Sequence, residues 1–402
     1  MPLSPATGAR VHAIVLAGLA MDAAIVSPVW TANRAFPLAP AFHLAGRVPA
    51  VITATLLAAG AIVLLLSAFR ALPRWSVLAA AAAVALAISQ DLSRFQPWLY
   101  QYLAMCIVLA PALGGDARLR EARALNACRL ILVAVYFWSG LHKLNEAFVH
   151  HVVPFLLGPV AARVPVLAAA EPAIGYVAPW IEIAFAIGLA LPRTRRVAAA
   201  GAIAMHAGLL ALLGPWALDY NPAVWPWNAC MAVLVYELMW RADTPLSAVL
   251  WNAGWRPHLV AAVLFGLCPV LNFVGAWDDY PAFSLYAGNV TFGDVIVSGS
   301  VRDRLPAEAA AFLRPLSDGR SQLPLDAWAR RSLRVPVYPA ERVHRTIAAS
   351  FCRGVVEDGD LELVEHRSAG WFYRPGFVTV VRTAALCPAE AAAMQASVKV
   401  RR

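Results

Sequence analysis

The chain has 33 basic residues, of which only Lys143 and Lys399 are lysines. Lys143 closes the apolar run VYFWSGLHKLN at residues 135–145. Arginine would anchor there equally well, but only lysine can give up its proton when desolvated. A neutral amine at that depth is a general base. Four more polar side chains interrupt apolar stretches: Asp22, Glu182, His206 and Asn228. Such groups are costly in a membrane and mark sites. Counted along each helix from its arginine-marked end, all five lie about 18–21 Å deep. One layer from five helices predicts a polar cavity, with Lys143 as base, aided by Glu182 and His206, and with His142 and Asn228 lining it.

Blander readings stand beside this one. Lys143 could be a snorkelling anchor, and Glu182 with His206 a hydrogen-bonded pair stapling a helical hairpin. Glu237, four residues before Arg241, reads as an i,i+4 pair. His142, Glu146 and His150 follow at i, i+4 and i+8, a spacing that could present a metal set on one helix face. That would need the helix to run well past its span, and Pro154 argues against it, so no metal is expected.

The elements that must position these residues follow from composition. Of 402 residues, 60% are hydrophobic and 14% charged, against 45–50% and about 25% in soluble domains. Mean hydropathy is +0.63. Stretches near the ~20 residues needed to cross a bilayer occur at 11–29, 48–69, 76–90, 97–113, 129–145, 173–191, 197–214, 223–240 and 257–277. The first lacks a signal-cleavage pattern and reads as a retained span. The expected fold is an all-α polytopic membrane bundle of about nine transmembrane helices over 1–277. A small extracytoplasmic α+β domain at 278–402 completes it.

Charge placement gives the orientation. Twelve arginines (10, 70, 74, 118, 120, 123, 129, 193, 195, 196, 241 and 256) lie in the N-terminal segment and alternate loops. The intervening loops hold five basic residues: Arg34, Arg47, Arg94, Lys143 and Arg163. Cytoplasmic loops attract Lys and Arg. A cytoplasmic N-terminus and an extracytoplasmic C-terminal domain in the cell (inner) membrane follow. The net charge of +9 is therefore topological and does not point to nucleic acid. The opposite loops carry Asp91, Arg94, Gln96, Trp98 and Tyr100, then Asp219, Tyr220, Asn221, Trp225 and Trp227. They read as the cavity mouth or as an interfacial aromatic belt.

In the tail, TFGDVIVSG, DLELVEHR and WFYRPGFVTVVRT read as strands, and LPAEAAAFLRPL and PAERVHRTIAASFC as helices. Cys352 and Cys387 are the only cysteines after residue 277, and an oxidising compartment would permit a disulfide between them. Asn289-Val-Thr matches a glycosylation sequon, relevant only in a eukaryotic secretory pathway.

YFWSGLHKLN resembles the active-site lysine segment of the vitamin K-dependent γ-carboxylases and their bacterial relatives, the horizontally transferred transmembrane (HTTM) domain proteins. DLSRFQPWLYQY, EIAFAIGLALPRTRRVAAAGAIAMH and WDDYPAFSLYAGN extend the resemblance over residues 90 to 290. It implies that Lys143 deprotonates a reduced quinone of the vitamin K hydroquinone type, with His206 near an intramembrane histidine of that family. Gln96-Pro97-Trp98 replaces an Asn-Asn-His stretch of the animal enzymes, which puts Trp98 at the cofactor. The reaction implied is lyase or oxidoreductase chemistry, with an isoprenoid quinol and a peptide or small molecule as substrates and lipid as surroundings. The alternative is a non-catalytic ligand- or lipid-binding module whose outer domain recruits a partner. A transporter ranks last, since no matched broken spans mark inverted repeats.

Overall fold

The computed structural model describes residues 7–42, 44–67, 74–110, 117–252, 255–371 and 375–389. Arg70, Lys399 and the ends of the expected spans at 68–69 and 111–113 lie outside them, as do the side chains of Arg74 and Arg118. The apolar part is helical: α1 (Thr7–Ile25), α2 (Ala50–Ser67), α3 (Arg74–Gln90), α4 (Pro97–Leu109) and α5 (Ala117–His142). Next come α6 (Phe148–Ala161), α7 (Pro165–Ala190), α8 (Arg195–Leu213), α9 (Val224–Val235, extended by a π turn at Tyr236–Trp240) and α10 (Arg256–Val274).

Among the described residues, six helices (α1, α2, α5, α7, α8 and α10) are long and apolar enough to cross a membrane. The chain is a multi-pass membrane protein. The expected spans at 76–90 and 97–113 correspond to the shorter apolar helices Trp75–Gln90 and Pro97–Leu109. Helix α6, Phe148–Ala161, was not expected.

Almost all of the apolar window of α5 is buried, whereas most of α2 faces outward. Its contact with α7 is close because Gly140 has no side chain. A Cβ there would stand 2.9 Å from Pro179 O and from Ile183 Cγ1. Two buried arginines close the arginine-marked end. Arg129 donates to Leu238 O at 2.8 Å, and Arg195 donates to the carbonyls of Leu189, Ala190, Ala242 and Thr244. A guanidinium suits the unpaired carbonyls of a helix C-terminus. Glu237 pairs with Arg10 at 3.0 Å instead of with Arg241, so that contact joins two helices where an intrahelical pair was expected.

At the other end Asp91 is fully buried and accepts from Arg34 at 2.5 Å. Arg94 donates to the carbonyls of Val29, Ala87 and Trp30. These two residues tie loops together, and neither lines the cavity that holds Lys143.

The C-terminal region forms a five-stranded antiparallel sheet of order β2-β3-β1-β4-β5. Its strands are β1 (Phe292–Val297), β2 (Arg314–Pro315), β3 (Ser321–Pro324), β4 (Leu361–Arg367) and β5 (Phe377–Val381). The register pairs Val295 with both Leu323 and Leu363, so their side chains share one buried face. Helices α11 (Leu325–Leu333) and α12 (Glu341–Ala349) cover it with Leu325, Trp328, Ala329 and Leu333, and with Val343, Ile347 and Ala348. The three expected strands and the second expected helix are present. LPAEAAAFLRPL is helical only over Ala307–Ala310, and Arg314–Pro315 is strand. Cys352 and Cys387 are disulfide-bonded.

The sheet domain is docked on the helices. Phe36 packs on Trp328 with ring centroids 4.6 Å apart, Arg334 donates to Ile25 O, and Arg330 to the Tyr220 hydroxyl. The backbone N–H of Trp371 donates to Leu144 O at 3.0 Å, and its indole N–H to Glu146 at 2.8 Å.

Candidate functional site

Helix α5 stops at His142, and the break is built by Asn145. Its carboxamide donates to His142 O and Ala287 O, and accepts from the Phe148 N–H, as an N-cap side chain does. Lys143 therefore leaves the helix end at a fixed angle. Nζ lies 2.6 Å from Glu182 Oε2 on α7 and 2.5 Å from Ser139 Oγ, with Ser139 O at 3.2 Å. Three acceptors match the three protons of an ammonium. Where a neutral amine was expected, Lys143 stands as half of an ion pair, and both side chains are only 11–12% exposed.

The expected Glu182–His206 pair does not form. The Tyr136 hydroxyl lies 2.6 Å from His206 Nε2, and His206 Nδ1 lies 2.7 Å from Asn228 Oδ1. Asn228 Nδ2 donates to Val224 O, which turns its oxygen toward the imidazole. This network assigns the proton to Nδ1, leaving Nε2 to accept from the tyrosine. Nothing in the spacing of the chain foretells Tyr136 or Ser139 as parts of the site, beyond their sharing the Lys143 face of α5 at i−7 and i−4.

Lys143, Glu182, His206, Asn228, Tyr136 and Ser139 all line one cavity of about 260 Å³. The remaining wall is apolar, and Leu156, Leu157, Ile174, Met205 and Leu209 along α6, α7 and α8 are only partly buried. Its lip therefore opens sideways, on the faces that lipid would cover.

The other predicted residues lie elsewhere. Asp22 is fully buried beside Tyr102 and Cys230, outside the lining of this cavity. His142 points away from Lys143, with ring centroids 5.3 Å from Phe273 and 6.4 Å from Trp138. The break after His142 also separates it from the exposed Glu146–His150 pair at 3.1 Å, so the i, i+4, i+8 alignment is not formed.

Trp98 lines a second chamber of about 190 Å³, under the sheet domain, together with Tyr220, Asn221, Tyr280 and Asp326. The two chambers share Val224, Trp227, Leu285 and Tyr286. Burial pushes the phenols of Tyr280 and Tyr286 far above their ordinary value, so both stay neutral hydroxyls.

Comparison with known proteins adds one similarity. Residues 121–218 match the family described as methylamine utilisation protein MauE. The match covers α5 to α8, and with them Tyr136, Lys143, Glu182 and His206. It corrects the resemblance drawn from YFWSGLHKLN: the matching family is MauE and not the γ-carboxylase or HTTM family. The carboxylase, lyase and hydroquinone expectations fall with that resemblance, which rested on short aromatic and small-residue motifs. No curated protein and no solved structure matches the chain significantly.

Proposed function

We propose that this protein takes an apolar molecule from the lipid into the α5–α9 cavity and carries out acid–base chemistry on it at the Lys143–Glu182 pair. One observation supports the reading above others. An ammonium and a carboxylate stand 2.6 Å apart in a cavity whose wall, apart from Tyr136, Ser139, His206 and Asn228, is mostly apolar. A substrate oxygen that slips between them meets a proton donor and a proton acceptor side by side, in a medium where neither is screened by water. The Tyr136–His206–Asn228 chain supplies a second proton-carrying array in the same cavity. In the orientation we favour, the N-terminus is cytoplasmic and the sheet domain extracytoplasmic, for the charge asymmetry of the loops.

A second reading has its own observation. Lys143, Glu182 and His206 all satisfy one another or near neighbours, so the set can serve as a closed polar staple in a binding module with no turnover.

Occupancy of the cavity is tested by extraction. The full-length protein is drawn into nanodiscs with native lipid, and its bound molecules are compared with the bulk lipid by mass spectrometry. The wild type should carry an apolar species enriched over bulk. Ala178→Phe, which fills the lip, should lose it while unfolding at the wild-type temperature. Equal extracts from both proteins would overturn the reading.

A further inference from the structure

We infer that the two adjoining chambers, which share four lining residues, hold one molecule, a single-chain amphiphile. Its apolar chain lies beside Lys143, and its uncharged, hydroxyl-bearing head lies under the sheet domain. The inference rests on the proposed use of the lower cavity and adds the chemistry of the upper one.

The volumes set the size. At about 260 and 190 Å³, each chamber is smaller than the ~300–1,000 Å³ of ordinary ligand sites, and the sum falls within that range. One chain and a compact head fit that room, and a two-chain lipid does not.

The polar atoms set the head. Trp98 is 1% exposed and lines the upper chamber, and its indole N–H has no hydrogen-bond partner. The Asn221 Oδ1 atom, in the same lining, is buried and likewise unpartnered, while its Nδ2 donates to Tyr286 Oη at 3.4 Å. Buried polar groups are normally paired, and exceptions call for an explanation. One donor and one acceptor are complemented by a group that does both, as a hydroxyl does.

Charge argues against an ionic head. Among the described residues Asp326 is the one charged residue in the upper lining, and it is already paired with Arg330 and accepts from the Val337 N–H. An anionic head would meet the Asp326 carboxylate in the lining, and the Arg330 guanidinium against Tyr220 is already engaged by Asp326 and the Tyr220 hydroxyl.

The backbone where the two chambers adjoin is also unusual. Tyr286, which lines both, has φ 49°, and Asn221 beside it has φ 49°. A left-handed tyrosine costs energy and is found where the surroundings enforce it, commonly at ligand sites.

The test uses the full chain in nanodiscs and three photoactivatable, alkyne-tagged probes of equal chain length: a monoacylglycerol, a fatty acid and an alkane. The monoacylglycerol should label the lower cavity saturably and at the lowest concentration of the three. Trp98→Phe should raise its half-saturation about two- to tenfold, the value of one hydrogen bond, and leave the weaker alkane labelling unchanged. Asn221→Leu, in the lining of the same chamber, should act in the same direction. Unchanged half-saturation in both variants would overturn the inference, as would preference for the fatty acid. Failure of the underlying reading looks different: no probe, the alkane included, would label peptides around Leu209.

Discussion

Lys143 Nζ stands 2.6 Å from Glu182 Oε2 across the contact of α5 with α7. Removing one partner of a buried pair strands the other charge, which costs about 3–5 kcal/mol. Glu182→Leu and Lys143→Met should each lower stability on that scale. Lys143→Met with Glu182→Leu should cost much less than the sum. The check is a double-mutant cycle on unfolding of the purified protein. Additive losses below about 1 kcal/mol would place the pair in solvent.

Gly140 permits this pair. An added Cβ would press on Pro179 O and Ile183 at 2.9 Å, so Gly140→Ala must separate the helices. Overpacking of this kind costs about 1–3 kcal/mol. The variant should also expose Lys143 to an amine-directed reagent that leaves the wild type unlabelled. Unchanged stability and labelling would show that the contact is slack.

The orientation predicts two linked results. A reporter active only in the cytoplasm, fused after Arg402, should be silent. Cys352 and Cys387, which are bridged, should resist thiol labelling in denatured protein until reductant is added. A bright reporter with both thiols freely labelled would turn the molecule over.

Asp360 gives the sheet domain an acid-sensitive point. Burial raises its pKa. The backbone N–H groups of Glu357 and Val356 and the Ser298 hydroxyl outweigh that and hold it below the ordinary carboxylate value. Since the folded pKa is the lower one, the stabilisation is complete above the unfolded pKa of about 3.9. It is lost as pH falls through the folded value. Asp360→Ala should cost about 1.5–3 kcal/mol at pH 7, and the gap to wild type should close as the pH is taken below the ordinary carboxylate range. Thermal unfolding across that range measures it, and a gap that widened in acid would contradict the assignment.

How much of this was legible in the chain depends on the kind of interaction. Helices such as α5 and α8 announce themselves by length and apolarity, and β1, β4 and β5 by clustered β-branched and aromatic residues. Lys143, Glu182, His206 and Asn228 could be picked out because a polar group in hydrocarbon must have a reason. Their partners could not. Depth along a helix says nothing about azimuth, so Asp22 and His142 share the layer yet face other groups. Tyr136 and Ser139 look like ordinary residues of an aromatic, small-residue run. Helix α6 was hidden because Asn145 restarts a helix where Pro154 seemed to forbid one; a proline near a helix start is compatible with it.

The central claim is that Lys143 moves a proton on a bound molecule, and Lys143→Arg tests it most directly. Arginine keeps the charge and a partner for Glu182, but cannot release its proton at working pH. Both proteins are extracted with native lipid, and the molecules each carries are compared by mass. Losing acid–base catalysis typically slows a step about 10²–10⁴-fold, so the variant should accumulate a precursor that the wild type holds only in converted form. The same species in the same ratio from both proteins would contradict catalysis at Lys143.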